Sequence, residues 1–529
     1  MSQVEATLDR SEEGWTGGHN PWLITVVVTL ATFMEILDTS IANVALPQIA
    51  GNLGVSRHEG TWVLTSYLVA NAVVLPLSGW LSNRLGRKRF YMTSVLLFSG
   101  ASLCCGLSPT LGWLILFRVL QGLGGGGLVP VEQAILIDTF PATKRGMAIA
   151  VYGMTAVLAP AMGPTLGGFI TDHFSWRWIF LINIPVGLLS FTLTARFLSD
   201  PPYLRRSRAQ MGSIDWIALG LIALGLGTLE FVLERGQESD WFDSSIIVGC
   251  SIVAVTALLA FVVREWNHER PLVDLKLLAR GNFAVANVLM LGLAFTSFAI
   301  TVIMPQYLQA IMGYSAARSG LVLSPGGLLI FCCLPIAGRL ASKTDPRLLL
   351  TGAFCVVGAA IVYTARTINV EMDFATGIQL RLMQCVGFGF LFVPVQMLAY
   401  AGLPKNKNNE AASLMSLSRN MGADIGIAFL VTLIYRQRQT HQVHLVSNAT
   451  EFDASYRAAI RGFTRALVEA GYAEHEAARR AIAKVYDDVI AQAMQLAYVD
   501  ALIGIAAVAG VMALLTWLAR WPAPTIGDG

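Results

Sequence analysis

The sequence predicts an all-α polytopic membrane protein: fourteen transmembrane helices, arranged as two six-helix bundles with two further helices inserted between them. Three observations carry this expectation. Of 529 residues, 55% are hydrophobic and only 13% charged, and the mean hydropathy is +0.59, whereas soluble domains carry roughly 25% charged residues. Apolar runs of about twenty residues, enough to cross a hydrocarbon core of about 30 Å, recur from end to end. The chain also repeats itself: GWLSNRLGRKRF from Gly79, after the second run, matches GRLASKTDPRLL from Gly338, after the tenth. Two related bundles with a substrate site between them are a common plan for transporters.

The runs follow in order. The first, near 22–46, carries Glu35 and Asp38; the second, 61–81, ends in the loop with Gly79, Arg84, Gly86 and Arg87. The third spans 90–107, the fourth, 112–138, carries Arg118, Gln121 and Glu132, and the fifth and sixth cover 147–170 and 178–198. An inserted pair lies near 215–234 and 245–263. The second bundle then reads 283–311, 317–341, 348–365, 377–401, 411–435 and 491–518. The expected divisions are a tail at 1–21, a first bundle at 22–198, a linker with the inserted pair at 199–282, a second bundle at 283–518 and a tail at 519–529.

Basic residues fall mainly in alternate short loops: Arg84, Arg87, Lys88 and Arg89; Lys144 and Arg145; Arg205, Arg206 and Arg208; Arg270, Lys276 and Arg280; Lys343, Arg347 and Lys407. The opposite loops carry about one each, such as Arg177, Arg235, Arg318 and Arg366, and positive loops are retained inside. Both termini are then cytoplasmic in a multi-pass inner-membrane protein. The first residues, with Glu5, Asp9, Glu12 and Glu13, lack the basic start of a signal peptide. A net charge of +3, spread in short clusters, offers no nucleic-acid surface. All seven cysteines lie inside apolar runs and all seven histidines in loops or at run ends, so neither a disulfide framework nor an intramembrane metal site is expected. With no phosphate-binding loop or nucleophile elbow, no enzyme, bound cofactor or ATP-driven pump is expected.

Ionisable groups inside the runs are costly, at roughly 2.5 to 3.5 kcal/mol or more each, and are therefore informative. Glu35 and Asp38 share one helix face. Asp38 lies about 12 Å and Arg118 about 9 Å from the same end of their runs, so they can meet. Desolvation favours the neutral form of such a carboxyl and the arginine its charged form, which is what a proton-coupling site needs. Asp38 is expected to carry the proton, Arg118 to tune it and Glu35 to help select cations. The same residues would also serve as a fixed ion pair that orients two helices. Glu132, Gln121, Asp424, Asp500, Arg419, Phe298 and Tyr307 are candidate cavity residues; Glu230 and Glu234 lie in the inserted pair, and Glu234 and Asp138 look interfacial. In the fifth run Pro160, Gly163, Pro164, Gly167 and Gly168 suit a bent, closely packed helix at a moving interface, or tight packing alone. Trp62, Tyr67, Phe295 and Phe390 could stack on a flat apolar cation. Residues 437–490 are polar, with Ile460, Phe463 and Leu467 on one helical face and Arg457, Arg461 and Arg465 on another, as in a solvated connector or a docking surface.

LDTSIANVALP at 37–47, GWLSNRLGRKRF from Gly79, RVLQG at 118–122, GPTLGG at 163–168, WRWIFLINIPVG at 176–187 and SRNMGADIG around Arg419 together resemble the major facilitator superfamily, and closely its fourteen-span drug:proton antiporters of the EmrB/QacA type. The resemblance covers residues 22–518. It implies the major facilitator fold and alternating access, with hydrophobic or amphipathic drugs exported in exchange for protons. It also implies coupling roles for Asp38 and Arg118 and a gating role for the loop from Gly79 to Arg89. Asn83 stands where many relatives carry an aspartate, so that relay differs here. The polar segment is similar to that of members working in tripartite pumps, which implies a periplasmic adaptor and an outer-membrane channel as partners. A carrier dedicated to one metabolite is the alternative.

Overall fold

The computed structural model describes residues 19–201, 214–269, 271–369, 372–448, 450 and 453–520. The acidic tail with Glu5, Asp9, Glu12 and Glu13, the loop arginines Arg205, Arg206, Arg208 and Arg270, and the tail from 521 lie outside the described residues. No strand occurs among those described.

Among the described residues, fourteen helices are long and apolar enough to cross a membrane: α1 (Pro21–Leu53), α2 (His58–Leu85), α3 (Arg87–Leu107), α4 (Leu111–Thr139), α5 (Lys144–His173), α6 (Trp178–Phe197), α7 (Trp216–Arg235), α8 (Ser245–Asn267), α9 (Gly281–Ala310), α10 (Arg318–Ala341), α11 (Pro346–Thr367), α12 (Phe374–Tyr400), α13 (Asn408–Ser447) and α14 (Glu474–Leu518). Their starts follow local chemistry. Asn20, Asp215, Asp345 and Asp373 each accept a hydrogen bond from the first turn of α1, α7, α11 and α12, with Pro21 and Pro346 opening two of them; such caps are worth about 0.5 to 2 kcal/mol each.

Helices α1–α6 form one bundle, in which α1 lies along α5 and α4 lies between α2 and α3. Helices α9–α14 form the other, with α9 along α13, α11 between α12 and α14, and α10 on α12. The bundles meet along two seams, α2 with α13 and α5 with α10, and the second half of α4 leans on α13. Small residues let the seams close. A Cβ on Gly146 of α5 would stand 2.5 Å from the carbonyl oxygen of Gly338 on α10, and one on Gly79 of α2 would stand 2.9 Å from the Cα of Glu410 on α13.

The inserted pair is a hairpin. Its helices pack on each other, Arg264 of α8 donates to Asp215 beside α7 at 2.7 and 3.0 Å, and α7 lies against α2 and α13, over one seam.

The polar stretch between the last two spans is helical over most of its length. α13 continues to Ser447, a connecting helix runs over Ala454–Glu469, and α14 starts at Glu474. At about 1.5 Å per residue, α13 (40 residues) and α14 (45 residues) reach about 60 and about 68 Å, at least twice the hydrocarbon thickness, so both project beyond it. The connecting helix packs back on α14.

Candidate functional site

Asp38, about midway along α1, is buried and held from two sides. Its Oδ2 accepts from Nη1 of Arg118 at 2.6 Å, and its Oδ1 accepts from the amides of Gln121 at 3.0 Å and Asn183 at 2.6 Å. The side chains of the pair are 1% and 0% exposed. Arg118 also donates from Nε to the carbonyl of Val63 at 2.9 Å and from Nη1 to Gln121 at 2.9 Å, and its guanidinium lies 4.3 Å from the centre of the Tyr67 ring. Asn183 is positioned in turn by Ser102, to which it donates at 3.0 Å. Side chains of α4 and α6 thus hold the carboxylate of α1, and residues of α2 and α3 hold those side chains in turn. A buried ion pair is tolerable only when such extra bonds offset its desolvation.

Glu35, on the same face of α1, accepts from the hydroxyl of Tyr67 at 2.9 Å and the amide of Asn71 at 3.2 Å. Glu132 in the second half of α4 accepts from Thr29 at 2.7 Å, and its other oxygen is buried without a partner. Arg419 reaches across from α13 and donates to the Tyr152 hydroxyl of α5 at 2.6 Å. The amide of Gln396 also crosses, donating to Gln133 at 3.3 Å. Arg419 and Gln396 of the second bundle thus each bond a side chain of the first, Tyr152 and Gln133.

The other expected residues lie elsewhere. Asp424 faces the buried carboxyl of Glu230 on α7, at the seam covered by the hairpin. Asp500 pairs with His441 at 2.8 Å, linking α14 to α13. Tyr307 is buried against Tyr498 within the second bundle, and Phe298 is exposed. Trp62 stacks on Phe231 of α7, and Phe295 meets Phe429 with the rings tilted by 45°. In α5, a Cβ on Gly163 would stand 2.0 Å from Oγ of Ser40, which donates to the Pro160 carbonyl at 3.2 Å, and Gly167 lies against Ile41. This stretch therefore packs on α1 just beyond Asp38. Gly168 faces open space, and the side chain of Pro164 lies outside the described ones.

At the opposite end of α1 from Gly54 the bundles interlock. Arg87 pairs with Asp138 and donates from Nε to Asn409 at 2.6 Å; Asn408 donates to Asp138 at 2.6 Å. Asn83 accepts from Asn409 and donates to Glu410 at 3.3 Å, and Glu410 pairs with Lys407 at 2.8 Å. Gly86 turns the chain at φ +89°, and Arg84 lies over the Trp80 ring. Asp138 stands at the end of α4, and its side chain is 3% exposed because Asn408 and the α3 start cover it. Sequence reasoning also missed Asn183, Asn71, Tyr152 and the Asn408–Asn409 pair. Asn183 sits inside the WRWIFLINIPVG motif, the one available signal.

The family model of the Major Facilitator Superfamily matches residues 28–427. The chain belongs to that superfamily. Multidrug export protein EmrB of Escherichia coli (strain K12) is 38% identical over 437 residues, 82% of this chain and 84% of that protein. Fatty acid resistance protein FarB of Neisseria gonorrhoeae is 37% identical over 433 residues, again 82% of this chain and 84% of that one. Among solved structures, the proton:xylose symporter XylE superposes with a TM-score of 0.60 at 13% identity, over 94% of this chain and 95% of that one. The major facilitator fold, two bundles of six helices with two inserted, is the architecture described above.

Proposed function

We propose that this chain is a proton-coupled multidrug exporter that moves hydrophobic or amphipathic compounds outward in exchange for protons. The names of two relatives, export of multiple drugs in one and resistance to fatty acids in the other, support that substrate range. The observation that carries the coupling is the Asp38–Arg118 pair, fully buried and tied to five helices. A proton arriving on Asp38 removes the charge that Arg118, Gln121 and Asn183 hold, so the pair loosens and the packing of α1 against α4 and α6 changes. Glu35 and Glu132 give a cationic compound between the bundles a negative wall. The interlock of Arg87, Asp138, Asn408 and Asn409 closes the end of the molecule that carries the basic loops. With that end cytoplasmic, and both termini with it, export requires the interlock to open and reclose.

The projecting ends of α13 and α14 with their connecting helix offer a periplasmic adaptor a rigid docking surface in a tripartite pump. Crosslinks from Arg457 or Arg461 that recover no adaptor in native membranes would contradict this partner.

Purified protein in proteoliposomes tests the function. An imposed pH gradient is expected to drive accumulation of a fluorescent lipophilic cation, and Asp38→Asn to reduce it to the level of empty vesicles. Saturable transport of one compound, with no response to varied drugs, would favour a dedicated carrier instead.

A further inference from the structure

The bundles repeat each other in detail. VLTSY at 63–67 and LPLSG at 75–79 of α2 align with VLSPG at 322–326 and LPIAG at 334–338 of α10; Arg118 and Gln121 of α4 align with Arg381 and Gln384 of α12. The dipeptide Pro47-Gln48 of α1 aligns with Pro305-Gln306 of α9. In this register the arginine and glutamine are kept, while Thr296 stands at the place of Asp38 and Gly326 at the place of Tyr67. The second bundle has the cation of the first without its counter-ion or its aromatic cover.

The contacts agree with the alignment. Arg381 is 8% exposed, and its Nε and Nη1 are buried with no hydrogen-bond partner. Among the described residues no carboxylate pairs with it. The Thr296 hydroxyl turns back to the Gly292 carbonyl of its own helix at 2.9 Å, and the Gln384 amide is spent on Thr364 at 2.9 Å. Gly326 brings α10 close, where a Cβ would stand 2.8 Å from Cγ of Arg381. A guanidinium buried without a partner is costly, and its planar N–H fork matches a carboxylate in two-point contact.

We propose that Arg381 is an anion-recognition residue of the second bundle, which holds the carboxylate of an amphipathic anionic substrate. This rests on the exporter reading and adds a head-group class to it: one bundle presents acids to cations, the other an arginine to anions.

The test is equilibrium binding of radiolabelled dodecanoate and dodecyltrimethylammonium to the full chain in lipid nanodiscs, with empty nanodiscs subtracted. Arg381→Gln is expected to weaken dodecanoate about ten- to a hundredfold, the weight of a charge-assisted contact, and to leave the cation unchanged. Arg381→Lys is expected to keep part of the affinity. Thr296→Asp, which restores the missing acid, is expected to match Arg381→Gln, because the new carboxylate takes the guanidinium. Unchanged dodecanoate binding in Arg381→Gln overturns the proposal, as does loss of both ligands together in the Gln and Lys variants. Wild type that binds the cation alone overturns the proposal while the exporter reading stands; wild type that binds neither overturns both.

Discussion

The donors on Asp38 are separable. Asn183→Ala removes the 2.6 Å bond to Oδ1 and leaves Gln121 in place, which is expected to cost about 1 to 3 kcal/mol. Asn183→Asp sets a second carboxylate at that distance and is expected to cost more, so melting followed by tryptophan fluorescence should rank wild type above Ala above Asp. The glycines of α5 separate in the same way. Gly163→Ala drives a methyl into Ser40 and is expected to lose about 1 to 3 kcal/mol, while Gly168→Ala, which faces open space, should melt as wild type does. Asp38 and Arg118 could be read from the sequence because a charge within an apolar run is conspicuous. Asn183 is neutral and hides among the apolar residues of its motif. Asp138 lies at the end of its run, and nothing in the chain's own spacing reveals that Asn408 of the other bundle covers it.

For single elements, the interlock at the α2–α3 turn and the hairpin lend themselves to test. Because Asn83 donates to Glu410, Asn83→Asp would face one carboxylate with another and is expected to open that end of the α2–α13 seam, as Asp138→Asn is by releasing Arg87. Spin labels at the ends of α2 and α13 would report a longer distance; an unchanged distance in both variants would contradict the gate. In the hairpin, the bond from Arg264, followed by the backbone N–H groups of Ala218 and Ile217, holds the Asp215 carboxyl below its usual range. A lowered value in the folded protein stabilises above the ordinary pKa of about 3.9 and is lost as pH falls through the folded value. Loosening of α7 from α8 below about pH 4 is therefore expected in spin-label distances, and Asp215→Asn should abolish that dependence. The inserted pair could be counted from its two apolar runs, but its seat over the α2–α13 seam could not, since lipid-facing and protein-facing apolar surfaces read alike in sequence.

Across the whole molecule, fourteen apolar runs and one repeated loop sufficed to read the two-bundle fold, because the bilayer allows few other solutions. The projecting helices were less legible: polar residues between spans suit a loop, a connector or a continued helix, and the packing of the connecting helix on α14 decides among them. The proposed coupling rests on one carboxylate, Asp38, as the link between substrate and proton. Coupling is reciprocal, so a substrate that competes with the proton must expel it on binding. The direct measurement adds a lipophilic cation to purified protein in weakly buffered detergent solution and follows released protons with a pH dye. Wild type is expected to release about one proton per molecule bound, and Asp38→Asn none while still binding the cation. Equal release from the wild type and the variant would contradict the assignment of the coupling site to Asp38.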